Sequence, residues 1–234
     1  MPFDMIAPLT RMNKCREKHQ KQNGNLSSRR FGSGDKLLAD LNGAPVFVHA
    51  LRRLTPAVTG KCVIVVPEGR KAEFQEAAFP FVRDLKLIWC EGGACRSESV
   101  ANGVAALGGV PGIAAVHDGA RPLANVTLLK RLYDAALVTG AALPGKAVTD
   151  TLWKSDGEVL DTVVARDGLF AVETPQLFNL ELWKKAKEKF PEEDLTDDAG
   201  LLRKAGYPVA LVLNPEPNIK LTIPSDLVIL RALI

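Results

Sequence analysis

Long apolar runs are missing from this 234-residue chain. A membrane-spanning helix needs about 18 or more consecutive apolar residues, so none is expected. No apolar core segment follows the N-terminal charges, so no secretory signal is expected either. Cysteine is scarce. Cys15, Cys62, Cys90 and Cys95 follow neither a disulfide-framework nor a zinc-ligand spacing. Reduced thiols in a cytoplasmic protein are the plain expectation. A Walker loop, GxxxxGK[ST], is absent. With three histidines in all, no Ser–His–Asp set stands out, and no glycosidase pair of carboxylates does.

A large excess of one charge is absent from the body of the chain. Residues 1–30 carry seven basic side chains against Asp4 and Glu17, a net +5, so the other 204 residues carry −2 of the total +3. A nucleic-acid protein spreads basic groups over a folded face. A short, aromatic-poor basic leader reads instead as a solvated tail. No nucleic acid and no membrane are expected as partners.

What is present is ordinary globular composition, 47% apolar and 24% charged. From about residue 44 onward two kinds of segment alternate. Helical spacing covers residues 45–54, 69–79, 97–107 and 126–138, with Ser97 a candidate N-cap. Short β-rich runs cover 61–66, 85–90, 113–116 and 141–143. That alternation predicts a parallel sheet covered by helices on both faces. Residues 146–172 then change to a period of two around Ser155-Asp156-Gly157, which predicts a hairpin arm. Two helices (180–190 and 197–205), strands at 208–213 and 219–222, and a last helix from 224 complete the chain. No linker appears. The expected organisation is an unstructured leader over 1–26 and one α/β domain over 27–234 that carries the arm.

Six segments could carry chemistry. Residues 27–36 (SSRRFGSGDK) combine small residues with Arg30 and Lys36, a composition that suits phosphate. Residues 91–103 (EGGACRSESVANG) open a helix at a strand end, where open parallel sheets bind ligands. Residues 116–122 (VHDGARP) also follow a buried strand. Asp118 there could hold a metal or a ribose hydroxyl, and Arg121 could bind phosphate or pair with Asp118. His117 reads as structural, since no His/Cys cluster accompanies it. Thr151, Arg166 and Thr174 lie on and after the arm. Residues 196–199 (TDDA) read as a helix N-cap. Lys220, in residues 218–222 (NIKLT), is an exposed strand lysine or a second phosphate contact. The set is mostly phosphate binders plus one Asp, which favours phosphoryl or nucleotidyl transfer.

The order of these segments is more specific than any one of them. GG-x-x-R-x-x-SV-x-x-G, V-HD-x-ARP, DT, R-x-G, TPQ, TDDA and NIK-x-T-x-x-DL occur in that succession. The set resembles the 2-C-methyl-D-erythritol 4-phosphate cytidylyltransferase family over residues 27–232. The resemblance implies a Rossmann-like nucleotidyltransferase fold. The implied reaction is transfer from CTP to methylerythritol phosphate with release of pyrophosphate and with Mg²⁺ on the triphosphate, as in non-mevalonate isoprenoid synthesis. It implies that Arg30, Lys36 and Lys220 bind the triphosphate and stabilise charge. Ser28, Gly92, Gly93, Arg96, Ser99 and Asp118 would bind the nucleotide. Asp118, Arg121 and Thr174 would line the acceptor site, with Asp118 the one candidate metal contact. Thr151 and Arg166 would reach a neighbouring subunit's site, so a homodimer joined through the arm is implied.

The chain departs from the family at its start. An apolar strand running into an Ala-Ala-Gly-x-Gly-x-Arg loop belongs there. Here residues 5–9 (MIAPL) are the only apolar stretch, broken by Pro8, and read as no buried strand. Leu26 and Ser28 occupy the places of the loop glycines. The intact downstream motifs favour a misassigned start or reading frame over a degenerate enzyme. The competing expectations are a cytidylyltransferase for another polyol phosphate, such as ribitol 5-phosphate, and a non-catalytic nucleotide-binding homologue.

Overall fold

The computed structural model describes residues 3–8, 35–109, 111–191 and 197–234. Residues 9–34, and with them Ser28 and Arg30, lie outside the described residues. The chain runs through strand β1 (Phe3–Pro8), the short strands β2 (Asp40–Leu41) and β3 (Ala44–Pro45), and helix α1 (Val46–Leu54). Next come β4 (Cys62–Val66), α2 (Lys71–Ala78), β5 (Leu87–Glu91), α3 (Arg96–Ala106), β6 (Ile113–Val116) and α4 (Val126–Thr139). Then follow β7 (Ala141–Ala147), β8 (Leu152–Ser155), β9 (Leu160–Val164), β10 (Phe170–Val172) and β11 (Gln176–Asn179). Helices α5 (Leu180–Lys189) and α6 (Asp198–Lys204), strand β12 (Ala210–Leu213) and helix α7 (Pro224–Leu233) end it.

Eight strands form one sheet in the order β10-β7-β11-β6-β1-β4-β5, with β12 alongside β7. Strands β6, β1, β4 and β5 are mutually parallel. β11 enters antiparallel between β6 and β7. The expected α/β architecture with helices on both faces is therefore what forms. Side chains of successive strand residues point to opposite faces, and both faces are apolar. Phe3, Met5, Ala7, Ile64 and Ala115 pack with α1, α2 and α4, through Phe47, Leu51, Phe74, Leu129 and Leu132. Ile6, Val63, Val65, Ala114 and Val116 pack with α3, α5 and α6, through Val100, Val104, Trp183 and Leu202. Burying a side chain of this size stabilises the fold by about 1.5–3 kcal/mol. Gly103 lets α3 lie close on β1, because a Cβ there would stand 2.5 Å from Ile6 Cγ2.

β1 corrects the expected leader. All six of its residues are buried, and it occupies the centre of the sheet. Two features hide it from pattern reading. Asp4 interrupts the apolar run, yet its carboxylate is buried and accepts the Lys61 backbone N–H at 2.6 Å. Pro8 sits at the last position of the strand, opposite Val65, where a missing N–H costs least.

Three smaller expectations also change. Residues 219–222 form no strand; a backbone bond from Leu221 N–H to Ala120 O at 2.8 Å and the Lys220 side chain join them to the body. Ser97 is not the N-cap of α3, which Cys95 occupies without a side-chain bond. The Ser97 hydroxyl instead accepts from Lys187 Nζ. β11 had no counterpart in the apolar pattern, since its four residues are QLFN. Asp197 does cap α6 as expected, accepting from Gly200 N–H at 2.8 Å.

The hairpin also forms. β8 and β9 make a separate two-stranded sheet, and the chain leaves the main sheet after Ala147 and rejoins it opposite, at Phe170. No described helix is long and apolar enough to cross a membrane. Cys62, Cys90 and Cys95 are free thiols.

Candidate active site

Loops at the carboxyl ends of β4, β5 and β6 lie at one edge of the parallel strands. The His117 N–H donates to Ile6 O at 3.0 Å, and the Gly92 N–H donates to Val66 O at 2.8 Å, so both loops start in register with the sheet. The glycine turn after β5 is tight. Gly93 N–H donates to Ser99 Oγ at 3.1 Å, and Ser99 Oγ donates to Cys95 O at 2.9 Å. A Cβ on Gly93 would stand 2.4 Å from Glu98 Cβ. Only glycine fits, and the backbone at residues 92–93 stays bare. Ser99 is fully buried, so its hydroxyl ties the turn to α3.

Asp118 is the centre of the site. Its Oδ2 accepts from Lys220 Nζ at 2.7 Å and lies 3.8 Å from Arg121 Nε. Burial opposes the charge of Asp118 and is the largest effect on it. The Lys220 ammonium, with Arg96 and Arg121, outweighs that and holds the carboxyl below the usual carboxylate range. Lys36 lies within the same field. Burial first, then Lys220, pushes its ammonium down, partly offset by Asp118, Asp35 and Asp226. Two lysines around one carboxylate leave excess positive charge, which favours a polyanion.

Thr174 and His117 support Asp118 from behind. The Thr174 hydroxyl accepts the Asp118 backbone N–H at 3.0 Å. It donates in turn to His117 Nδ1 at 3.1 Å, while His117 Nε2–H donates to Arg121 O at 3.0 Å. This network needs a neutral imidazole. Burial is the largest cause that pushes His117 down, to about 4. The structural role expected for His117 is what the network gives it.

Arg121 Nη1 donates to Asn218 O at 2.7 Å, which ties the loop after β6 to the segment before α7. Two buried atoms here have no hydrogen-bond partner among the described residues: Arg121 Nε and Asn218 Oδ1. Arg96 is drawn into a buried pair instead. Its Nη2 donates to Asp198 Oδ2 at 2.7 Å, and Trp183 Nε1 donates to Asp198 Oδ1 at 3.0 Å. Arg96 therefore pins α3 to α6 and adds positive charge near Asp118.

The structure thus brings Lys36, Asp118, Arg121, Thr174 and Lys220 together, with Arg96 behind them. Gly92, Gly93 and Ser99 form the neighbouring turn. Thr151 and Arg166 are exposed on the arm. Arg166 donates to Thr149 O, and among the described residues neither hydrogen-bonds to the Asp118 cluster. Pattern reading missed two groups. Arg70 forks onto Glu73 at 2.7 and 2.8 Å and reaches Asp35 Oδ2 at 2.5 Å, which anchors the residue before Lys36. Glu173 gathers Asn214, Asn218 and Lys146 around one buried carboxylate. The Arg70–Glu73 spacing of three was a legible signal; the Glu173 contacts span distant segments and had none.

Among the described residues, no group of three or more His, Cys, Asp or Glu side chains could hold a metal ion. Asp118 is the one carboxylate of the cluster. A site of this kind suits an ion that arrives mainly on phosphate oxygens and water.

The family profile described as 2-C-methyl-D-erythritol 4-phosphate cytidylyltransferase matches residues 26–234. A cytidylyltransferase of that name from Geobacillus kaustophilus is 35% identical over 215 residues, covering 88% of this chain and 92% of the relative. Its namesake from Geobacillus thermodenitrificans is 36% identical over 213 residues, covering 88% and 92%. The crystal structure of the Thermus thermophilus enzyme superposes with a TM-score of 0.77 at 29% identity, over 100% of this chain and 98% of that one.

Proposed function

Because the chain belongs to the 2-C-methyl-D-erythritol 4-phosphate cytidylyltransferase family, we infer that it transfers a cytidylyl group from CTP to 2-C-methyl-D-erythritol 4-phosphate. A phosphate oxygen of the acceptor forms a bond to the α-phosphorus of CTP. The bond from that phosphorus to the α–β bridging oxygen breaks, and pyrophosphate leaves with the electron pair. The observation that carries this reading is the Lys220–Asp118 pair at 2.7 Å with Lys36 in its field.

Little covalent chemistry falls to the protein in such a transfer; positioning and charge stabilisation do most of it. Lys36 and Lys220 hold the triphosphate and offset the charge that grows on the leaving group. Arg30, outside the described residues, joins them. The bare backbone at Gly92 and Gly93 takes the flat cytosine, with buried Ser99 holding that turn in place and Ser28 completing the nucleoside contacts. Arg96 adds charge and keeps the turn in place. Asp118 orients the Lys220 ammonium and meets the sugar end of the nucleotide, while Arg121 and Thr174 line the acceptor side. Asp118 is the residue that would touch Mg²⁺ carried on the triphosphate, where the ion would neutralise phosphate charge.

The arm supports a homodimer with shared sites. Trp153, Leu160 and Val163 stand about half exposed or more on it, at 49%, 59% and 51%. A lone two-stranded hairpin is marginal in water, so a second copy that covers these side chains explains their retention. Thr151 and Arg166 then reach the partner's acceptor side.

Pyrophosphate release by the purified chain, with CTP, Mg²⁺ and methylerythritol phosphate, tests the reading. Release that depends on both substrates, and is slower with ribitol 5-phosphate, is the expected result. A folded, CTP-binding protein that releases none refutes it.

A further inference from the structure

Glu173 carries an ion-pair and amide cluster beside the site. The residue is 8% exposed. Its Oε2 accepts from Asn214 Nδ2 at 2.9 Å and from Asn218 Nδ2 at 3.0 Å. Its Oε1 lies 3.6 Å from Lys146 Nζ. Asn218 Nδ2 donates a second bond, to Thr174 O at 2.8 Å. The carboxylate and the carbonyl thus take the amide nitrogen of Asn218. A flipped amide would set Oδ1 against two acceptors, so only one orientation is stable. That orientation leaves Oδ1 buried with no hydrogen-bond partner among the described residues, and the Asn218 carbonyl anchors Arg121, whose Nε likewise makes no hydrogen bond among them, the Asp118 carboxylate standing 3.8 Å away. A buried acceptor and a buried donor without hydrogen bonds among the described residues, on residues bonded to each other, call for an explanation. A hydroxyl both donates and accepts, and a polyol phosphate carries several.

We propose that Glu173 is a positioning residue for the acceptor side of the site, fixing the Asn218 amide and, through Asn218, Arg121 and the Thr174 segment. The inference rests on the cytidylyl-transfer reading and deepens it. Glu173 touches no reacting atom. Its carboxylate keeps two distant chain segments, 173–174 and 214–218, in one arrangement that suits a hydroxyl-rich phosphate ester.

The test compares Glu173→Ala, Glu173→Gln and Asn218→Asp with the natural chain, by KM for each substrate and by calorimetric binding of methylerythritol phosphate. Gln keeps an oxygen that can accept from both Asn amides; Ala keeps none. Glu173→Ala should raise KM and Kd for methylerythritol phosphate about tenfold, the scale of one lost hydrogen bond to a charged group, with KM for CTP changed less than about twofold. Glu173→Gln should restore most of the loss. Asn218→Asp places an acceptor against Glu173 and should match Glu173→Ala, so the idea stays exposed to refutation even when the Ala variant fails to fold. Equal shifts in both KM values, or an unchanged Kd in Asn218→Asp, overturns it. A natural chain that binds methylerythritol phosphate without turnover refutes the functional reading alone, and the Kd ratios still decide the clamp. A natural chain that binds none overturns both.

Discussion

Lys220 Nζ lies 2.7 Å from Asp118 Oδ2, and the two residues come from segments 102 positions apart. Asp118 is 6% exposed and the Lys220 side chain 26%, so the pair joins a partly buried ammonium to a buried carboxylate. Of the two readings open for Lys220, that of an exposed strand lysine falls, because residues 219–222 form no strand and the ammonium pairs with Asp118.

Lys36 and Lys220 should therefore separate in a stability assay. Lys220→Ala strips Asp118 of its nearest counter-charge, and removing one partner of a buried pair is costly. Arg121 and Arg96 remain, so the expected loss is about 2 kcal/mol by urea denaturation at pH 7. Lys36 is opposite in sign. Its ammonium is disfavoured by burial and by Lys220, so Lys36→Met should leave the melting temperature unchanged or raise it. Both variants should lose turnover by about 10²-fold or more. A Lys36→Met protein that melts well below the natural one contradicts this.

His117 predicts an acid-sensitive fold. Its folded value of about 4 lies below the ordinary 6.5. The unfolded chain then binds more protons between those values, so stability should fall as pH drops from about 6.5 to about 4 and level off below. The loss on this account is of the order of 3 kcal/mol. Melting temperatures from pH 7 to pH 4 should show the slope in the natural chain and a shallower one in His117→Gln.

Thr174→Val keeps shape but removes a hydroxyl that accepts from Asp118 N–H and donates to His117 Nδ1. Both partners stay buried and unsatisfied, at a cost of about 1–3 kcal/mol. Thr174→Ser should recover most of it. Denaturant unfolding of the three proteins decides the matter; equal stability of the Val and Ser variants would remove the hydroxyl from the network.

The proposed homodimer with shared sites predicts complementation. Arg166→Ala and Lys220→Ala should each be nearly inactive alone. Refolded together, mixed dimers hold one site with an intact core and an intact arm, and activity should return. A mixture that stays inactive while forming mixed dimers places the arm outside the partner's site.

Residues 61–66, 113–116 and 126–138 announce their elements because local pattern and tertiary role agree: β-branched or apolar runs become buried strands, and a 3.6-residue period becomes a helix with one face on the core. The ordered motifs around Gly92, Asp118, Thr174 and Lys220 likewise carried the family resemblance, and the fold brings Asp118, Thr174 and Lys220 together. β1 did not announce itself. Phe3–Pro8 is too short and too mixed to be a strand by its own propensity, and it becomes one because β4 and β6 offer ladders on both sides and Asp4 finds the Lys61 N–H. The Asp118–Lys220 pair, the Arg96–Asp198 pair and the Glu173 cluster were equally silent. Linear pattern reports which residues can be buried or charged. Which charge meets which, across 27 to 102 positions, is settled only when strands and helices pack and buried polar groups are brought to their partners.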